Sequence, residues 1–187
     1  MYTTKRHCMS VGIEEYLDGY VNIEEFLTYC QTCPNYQTFW ACPPFDFSPI
    51  DYWKQFETLD LYAEEIIFDE AHAGKKFDQE EMDRIIDDSL KQVKKQLTEE
   101  LYEIEQQTPG SVSLSAGSCE LCQDDCTRKD KEACRFPEKM RYSIEALGGN
   151  VGLTINKLMG IELEWIREGV LPGRFVLVCG LLKKPQI

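Results

Sequence analysis

From Asp78 to about Gln107, apolar residues recur at Met82, Ile86, Leu90, Val93, Leu97, Leu101 and Ile104. Steps of three and four put them on one stripe of one helix, with acids and lysines opposite. Asp78 and Glu81 suit a capping pair, and Thr108-Pro109-Gly110 is a stop. At 1.5 Å per residue this is a rod of about 45 Å. Whatever else the chain forms must offer that rod an apolar face. The stripe reads as core packing, and its heptad-like spacing also suits a second copy's helix, which leaves a homodimer open.

The shorter elements are readable around it. Asn22 with Glu25 caps a helix through Phe26 and Leu27 that delivers Cys30 and Cys33. Ser48-Pro49 caps another through Trp53 and Phe56. Leu61 to Phe68 and Ser111 to Ala116 read as strands, and with the long helix between them they suggest a βαβ crossover. Pro137 to Leu147 reads as a helix closed by Gly148-Gly149, and Thr154 to Met159 as a further short helix. Glu162 to Ile166 and Arg174 to Leu182 suggest a terminal hairpin. The expected fold class is α+β: a single domain over 1–187, a mixed sheet with flanking helices, and cysteine loops at about 30–44 and 117–137.

Composition narrows the function. Hydrophobic residues make up 43% of the chain, enough for a packed core, and no apolar run reaches membrane-spanning length. Met1 to Ser10 carries Lys5, Arg6 and His7 with no apolar stretch behind them, unlike a secretory signal. A cytoplasmic, reducing setting is therefore expected, where nine cysteines speak for metal or redox chemistry rather than disulfides. The net charge of −13 argues against nucleic acid, which needs a basic face. It suits a redox protein partner or a small-molecule substrate.

Seven of the nine cysteines fall into two sets. The first is Cys30-x2-Cys33-x8-Cys42, followed by Pro43-Pro44; the second is Cys119-x2-Cys122-x3-Cys126-x7-Cys134. A two-residue gap lets two thiolates from one turn reach the same metal or the same cubane. Structural zinc sites usually join two such close pairs, whereas each set here has one pair and then singly spaced cysteines. The pattern favours iron–sulfur clusters, one or two of the [4Fe-4S] type, although the gaps match neither ferredoxin runs nor the radical-SAM order. Zinc remains the alternative, and a single site made by both sets is also open.

The second set can supply four ligands; the first has three, so its iron is either open to a substrate or completed by Cys8, Cys179, His7 or His72. Cys179 lies in the apolar run Phe175-Val-Leu-Val-Cys179, where a buried inert thiol is the simpler reading. Arg135 and Arg141 suit the balancing of cluster charge and Glu145 a proton relay. Equally, Glu138, Arg141 and Glu145 suit an exposed, ion-paired helix.

These stretches carry a resemblance. Cys30-Gln-Thr-Cys33-Pro-Asn-Tyr36, Trp40-Ala-Cys42-Pro-Pro44, Gly117-Ser-Cys119-Glu-Leu-Cys122 and Ala133-Cys134-Arg-Phe-Pro137-Glu-Lys-Met-Arg141-Tyr-Ser-Ile-Glu145-Ala-Leu-Gly148 follow one another along most of the chain. In them the chain resembles an uncharacterised prokaryotic family of predicted metal-binding, cysteine-rich proteins, a domain of unknown function. The resemblance implies metal binding through these cysteines and supplies no reaction. Phosphate-binding loops, dinucleotide fingerprints, zinc-protease and nucleophile-elbow motifs are missing. Three functions follow: electron transfer or redox chemistry at an iron–sulfur cluster, a zinc-stapled interaction module, or non-redox Lewis-acid chemistry at an open iron.

Overall fold

The computed structural model describes residues 1–122 and 125–185. Its centre is a four-stranded sheet built from β1 (Tyr2–Gly12), β2 (Thr58–Phe68), β3 (Val112–Leu114) and β4 (Arg174–Lys183). The order across the sheet is β1-β2-β4-β3, and every neighbouring pair is antiparallel rather than mixed. The helices are α1 (Ile13–Tyr20), α2 (Ile23–Gln31), α3 (Pro49–Trp53), α4 (Gln79–Ile86), α5 (Gln92–Gln107) and α6 (Val151–Met159).

Both faces of β2 and β4 are covered, which explains why β2 alternates only imperfectly in sequence. Leu59, Leu61 and Ala63 point with Val178 and Leu182 into one core, shared with Tyr16, Trp53 and Ile155 from α1, α3 and α6. Ile66 and Phe68 point with Phe175, Leu177 and Cys179 to the other face, under Met82, Val93, Leu97 and Leu101. In the first core the Trp53 indole N–H donates to the Leu147 carbonyl at 3.0 Å, and the Tyr16 hydroxyl bonds the Thr154 hydroxyl at 2.9 Å. Both partners bring their polar atoms in satisfied, as burial requires.

The expected long helix is present, with its Asp78–Glu81 capping box and its end at Gln107. A π-turn over Asp87–Lys91 joins α4 to α5. The buried positions are Met82, Ile85, Ser89, Val93, Leu97, Leu101 and Glu105, in steps of four after Ile85. On a regular helix each step of four drifts by about 40°, and the wider π-turn takes up part of that drift. Ile86, Leu90 and Ile104, expected on the stripe, sit at its margins and are only partly buried.

Three expectations need correction. β2 and β3 run parallel, but β4 lies between them, so the crossover is a split one. The expected hairpin does not form: Glu162 to Ile166 is irregular, and β4 pairs with β2 and β3 instead. Pro137 to Leu147 is a chain of turns, not a helix. Ser143 bridges to Ser115, and Arg141 is drawn away to Glu105, contacts a continuous helix would forgo. Gly148 still ends the segment, at φ +85°.

Candidate metal centre

The first cysteine set hangs from the end of α2. Asn22 caps that helix by accepting the Glu25 N–H at 3.1 Å, and the helix ends one residue after Cys30. The chain then folds into turns: Cys33 N–H donates to Cys30 O at 3.0 Å, Tyr36 N–H to Cys33 O at 3.1 Å, and Cys42 N–H to Phe39 O at 3.0 Å. Gln37, at φ +63°, closes the wrap by donating its N–H to Pro43 O at 3.0 Å. Cys30, Cys33 and Cys42 thereby line one cavity of about 150 Å³, whose opposite wall includes Gly117, Ser118 and Glu145. Burial pushes the Cys42 thiol up to about 12, helped by Cys33 and Cys30 and opposed by Arg128. Burial raises Cys30 as well.

The second set surrounds a separate, much smaller space of about 10 Å³. Cys119, Cys122, Cys126 and Cys134 all line it, with Phe39, Trp40, Leu121, Phe136 and Met140 as apolar walls. Burial raises Cys119, while the Leu121 backbone N–H works against the shift. Phe136 N–H points at Cys134 Sγ at 3.4 Å. Such N–H donors are the groups that stabilise bound thiolates and tune a cluster. All nine cysteines are free thiols. Among the described residues, no three His, Cys, Asp or Glu side chains are drawn together tightly enough to hold a metal ion as they stand.

The two sets are neighbours. Gly117 and Ser118 line the first cavity and the next residue, Cys119, lines the second; Phe39 to Ala41 wall the second and Cys42 lines the first. Arg128 staples the two loops, donating to Phe39 O at 2.7 Å and also to the Cys42 and Pro44 carbonyls. Its guanidinium carbon lies 5.3 Å from the Trp40 ring centre, and Trp40 Nε1 donates to Glu132 O at 3.1 Å. Arg128 escaped the sequence reading because it sits in a charged run, Thr127 to Lys131, that looks like plain solvated surface.

The other expected residues fall as follows. Cys8 lies exposed on β1, and Cys179 is buried in β4, where burial pushes its thiol up to about 12. His7 Nε2 is 2.6 Å from Glu65 Oε1, and His72 pairs with Asp69. None of these four lines the first cavity. Arg135 holds Asp125, through the backbone oxygen at 2.7 Å and Oδ2 at 3.1 Å.

Arg141 does not face the thiols. Its Nε donates to Glu105 Oε2 at 2.8 Å and its Nη2 to Oε1, while Ser113 gives the same carboxylate a backbone N–H at 2.8 Å and a hydroxyl at 2.7 Å. Burial alone would push Glu105 up, but these donors outweigh it and hold its carboxyl below the ordinary range. The signal for Glu105 was present: it continues the buried spacing of Leu97 and Leu101 by four.

Among the described residues, Glu145 is the one carboxylate on the first cavity. Burial raises its pKa, and Oε2 is buried with no hydrogen-bond partner among the described residues. The expected exposed, ion-paired helix is thus replaced by one buried pair and one buried, half-satisfied acid.

A family model described as predicted metal-binding protein (DUF2284) matches residues 19–182, a span that includes both cysteine sets. No curated protein and no solved structure matches the chain.

Proposed function

The chain belongs to the predicted metal-binding protein family (DUF2284), and from that premise we propose that it is an iron–sulfur protein that moves electrons. Cys119, Cys122, Cys126 and Cys134 form the relay centre, and Cys30, Cys33 and Cys42 the reactive one. The observation that carries this reading is the sorting of seven thiols into two adjacent cavities, each lined by one complete set.

The donor chemistry fits. Soft thiolates select iron–sulfur clusters or zinc over hard cations. When bound, a cubane supplies one-electron redox capacity and, with three protein thiolates, an iron accessible to an external ligand. The chain does the rest. Phe39, Trp40 and Phe136 give the four-thiol set apolar walls, and Cys126 is buried behind them. The Leu121 and Phe136 N–H groups face sulfur. Arg128 ties the backbones of the two loops at a fixed spacing. Because burial keeps Cys30, Cys42 and Cys119 protonated, loading must expel protons, so occupancy rises with pH.

One observation favours a second reading for one site. The four-thiol space, at about 10 Å³, has room for about one water-sized body, far less than the 150 Å³ beside the three-thiol set. A zinc held there by four thiolates would make that loop a structural staple.

Anaerobic purification followed by iron, zinc and sulfide analysis with an absorption spectrum tests both. About eight irons with matching sulfide mean two cubanes. About four irons with one zinc mean one cluster and one zinc site, and cysteine variants of each set then say which is which. Zinc without sulfide overturns the redox reading.

A further inference from the structure

An open groove of about 870 Å³ runs beside the first cysteine cavity, between α2, the α4–α5 rod and the irregular segment through Trp165. Its size falls within the range of small-molecule sites, roughly 300–1,000 Å³. Phe26, Leu90, Leu163, Phe175 and Leu177 give it apolar walls. At its rim Trp165 is 66% exposed and Tyr29 59%, with Ile166 exposed beside them. Large apolar side chains left open around a concavity mark a binding site more than solvent-facing surface.

The groove's charges are nearly all spoken for. Lys94 donates to Ser118 O at 2.8 Å and pairs with Glu120. Lys91 pairs with Asp87 at 2.6 Å. Glu164 accepts from Gly173 N–H at 2.8 Å and Arg174 Nε at 3.0 Å. Glu25 accepts from Asn22 Nδ2 at 3.0 Å. Glu145 differs: it lines the groove, and its buried Oε2 has no hydrogen-bond partner among the described residues. Gly117, Ser118 and Glu145 also line the three-thiol cavity, so the groove and that cavity meet at this carboxyl.

We infer that the groove binds a neutral, largely apolar small molecule whose hydrogen-bonding head group reaches Glu145, at the edge of the Cys30/Cys33/Cys42 cavity. Apolar walls take the body of the molecule. The rim charges are already held by partners within the chain, and the orphan oxygen takes a donor N–H or O–H. A ligand so placed presents its head to the three-thiol centre; its role as that centre's substrate rests on the function proposed above, while its binding does not.

N-phenyl-1-naphthylamine is the probe: it is neutral, apolar, carries one N–H, and brightens in apolar surroundings. Titrated into the full chain, it should bind saturably with one site and quench Trp165. Glu145→Leu should weaken binding about fivefold or more, the loss of one buried hydrogen bond, while Glu145→Gln, which keeps an acceptor oxygen, stays within about twofold. Trp165→Ala should weaken binding about threefold to tenfold through the lost aromatic contact. Since Trp165 is mostly exposed, that variant tests the groove even if a Glu145 variant folds poorly. Absence of saturable binding, or equal affinity in parent, Glu145→Leu and Trp165→Ala, overturns the proposal. Iron and sulfide are measured on the same samples, so failure of the cluster reading registers separately from failure to bind.

Discussion

The Arg141–Glu105 pair ties the turn segment that follows the second cysteine loop to the long helix, and cutting it should be costly in a calculable way. Arg141 and Glu105 side chains are 15% and 7% exposed, and two N–H···O contacts join them. In Arg141→Met the carboxylate stays buried with only Ser113 to answer it. Removing one partner of a buried pair costs roughly 3–5 kcal/mol, and about 3 is appropriate where the arginine keeps some solvent contact. With a urea slope of about 2 kcal/mol/M, the unfolding midpoint should fall by about 1.5 M. The assay is urea unfolding followed by far-UV circular dichroism, under anaerobic reducing conditions with metal content matched to the parent.

Adding Glu105→Gln removes the stranded charge but leaves an oxygen for Ser113, so the double variant should recover about 2 kcal/mol. The pH dependence has a definite sign. A carboxyl held low in the folded state contributes stability above its unfolded pKa of about 4.3 and loses it as pH falls. In Arg141→Met the orphan carboxyl is instead raised, and protonation relieves it. The gap between parent and variant should therefore narrow towards pH 4. A single-variant cost below about 1 kcal/mol, or a double variant no better than the single, would refute this account.

Arg128→Lys replaces a fork that reaches three carbonyls with a point donor, so metal at the first set should be lost to a chelator about tenfold or more faster, measured by stopped-flow absorbance. In metal-free protein at pH 8, iodoacetamide should label exposed Cys8 and Cys33 first and leave Cys42 and Cys179 nearly untouched, because burial pushes the latter two thiols up to about 12; peptide mass spectrometry reads the order. Gly148→Ala should cost about 2 kcal/mol in thermal unfolding. Its Cβ would lie 2.6 Å from Ile23 Cγ1 at a φ of +85°, at the foot of the helix that carries Cys30.

Local chemistry made much of this fold legible. Asn22, Ser48 and Asp78 each accept the N–H three residues on, where their residue types place caps. The two cysteine sets group in space as they do in sequence. What failed depended on distant partners. The helical reading of Pro137 to Leu147 came from spacing within the segment. Its turns are set by Ser115 and Glu105, which lie 28 and 36 residues back from Ser143 and Arg141. The insertion of β4 between β2 and β3 leaves no local mark, because an apolar strand buried on both faces reads alike at an edge or at a centre. Arg128 was hidden, and the burial of Glu145 left open, for the same reason: nothing near them in the chain shows which way they turn.

The position of β4 bears on how the protein is made. The strand translated last is the one that belongs in the middle, so β2 and β3 must wait apart until Arg174–Lys183 leaves the ribosome. All seven clustered cysteines emerge well before then, at Cys30 to Cys134. Synthesis runs from the N-terminus, and non-local strand pairing is slow. During that interval the thiols stand on an unfinished scaffold, exposed to oxygen and to whatever metal the cell offers first. Sheet closure thus waits on the last-made of the four strands, after all seven clustered thiols have been made.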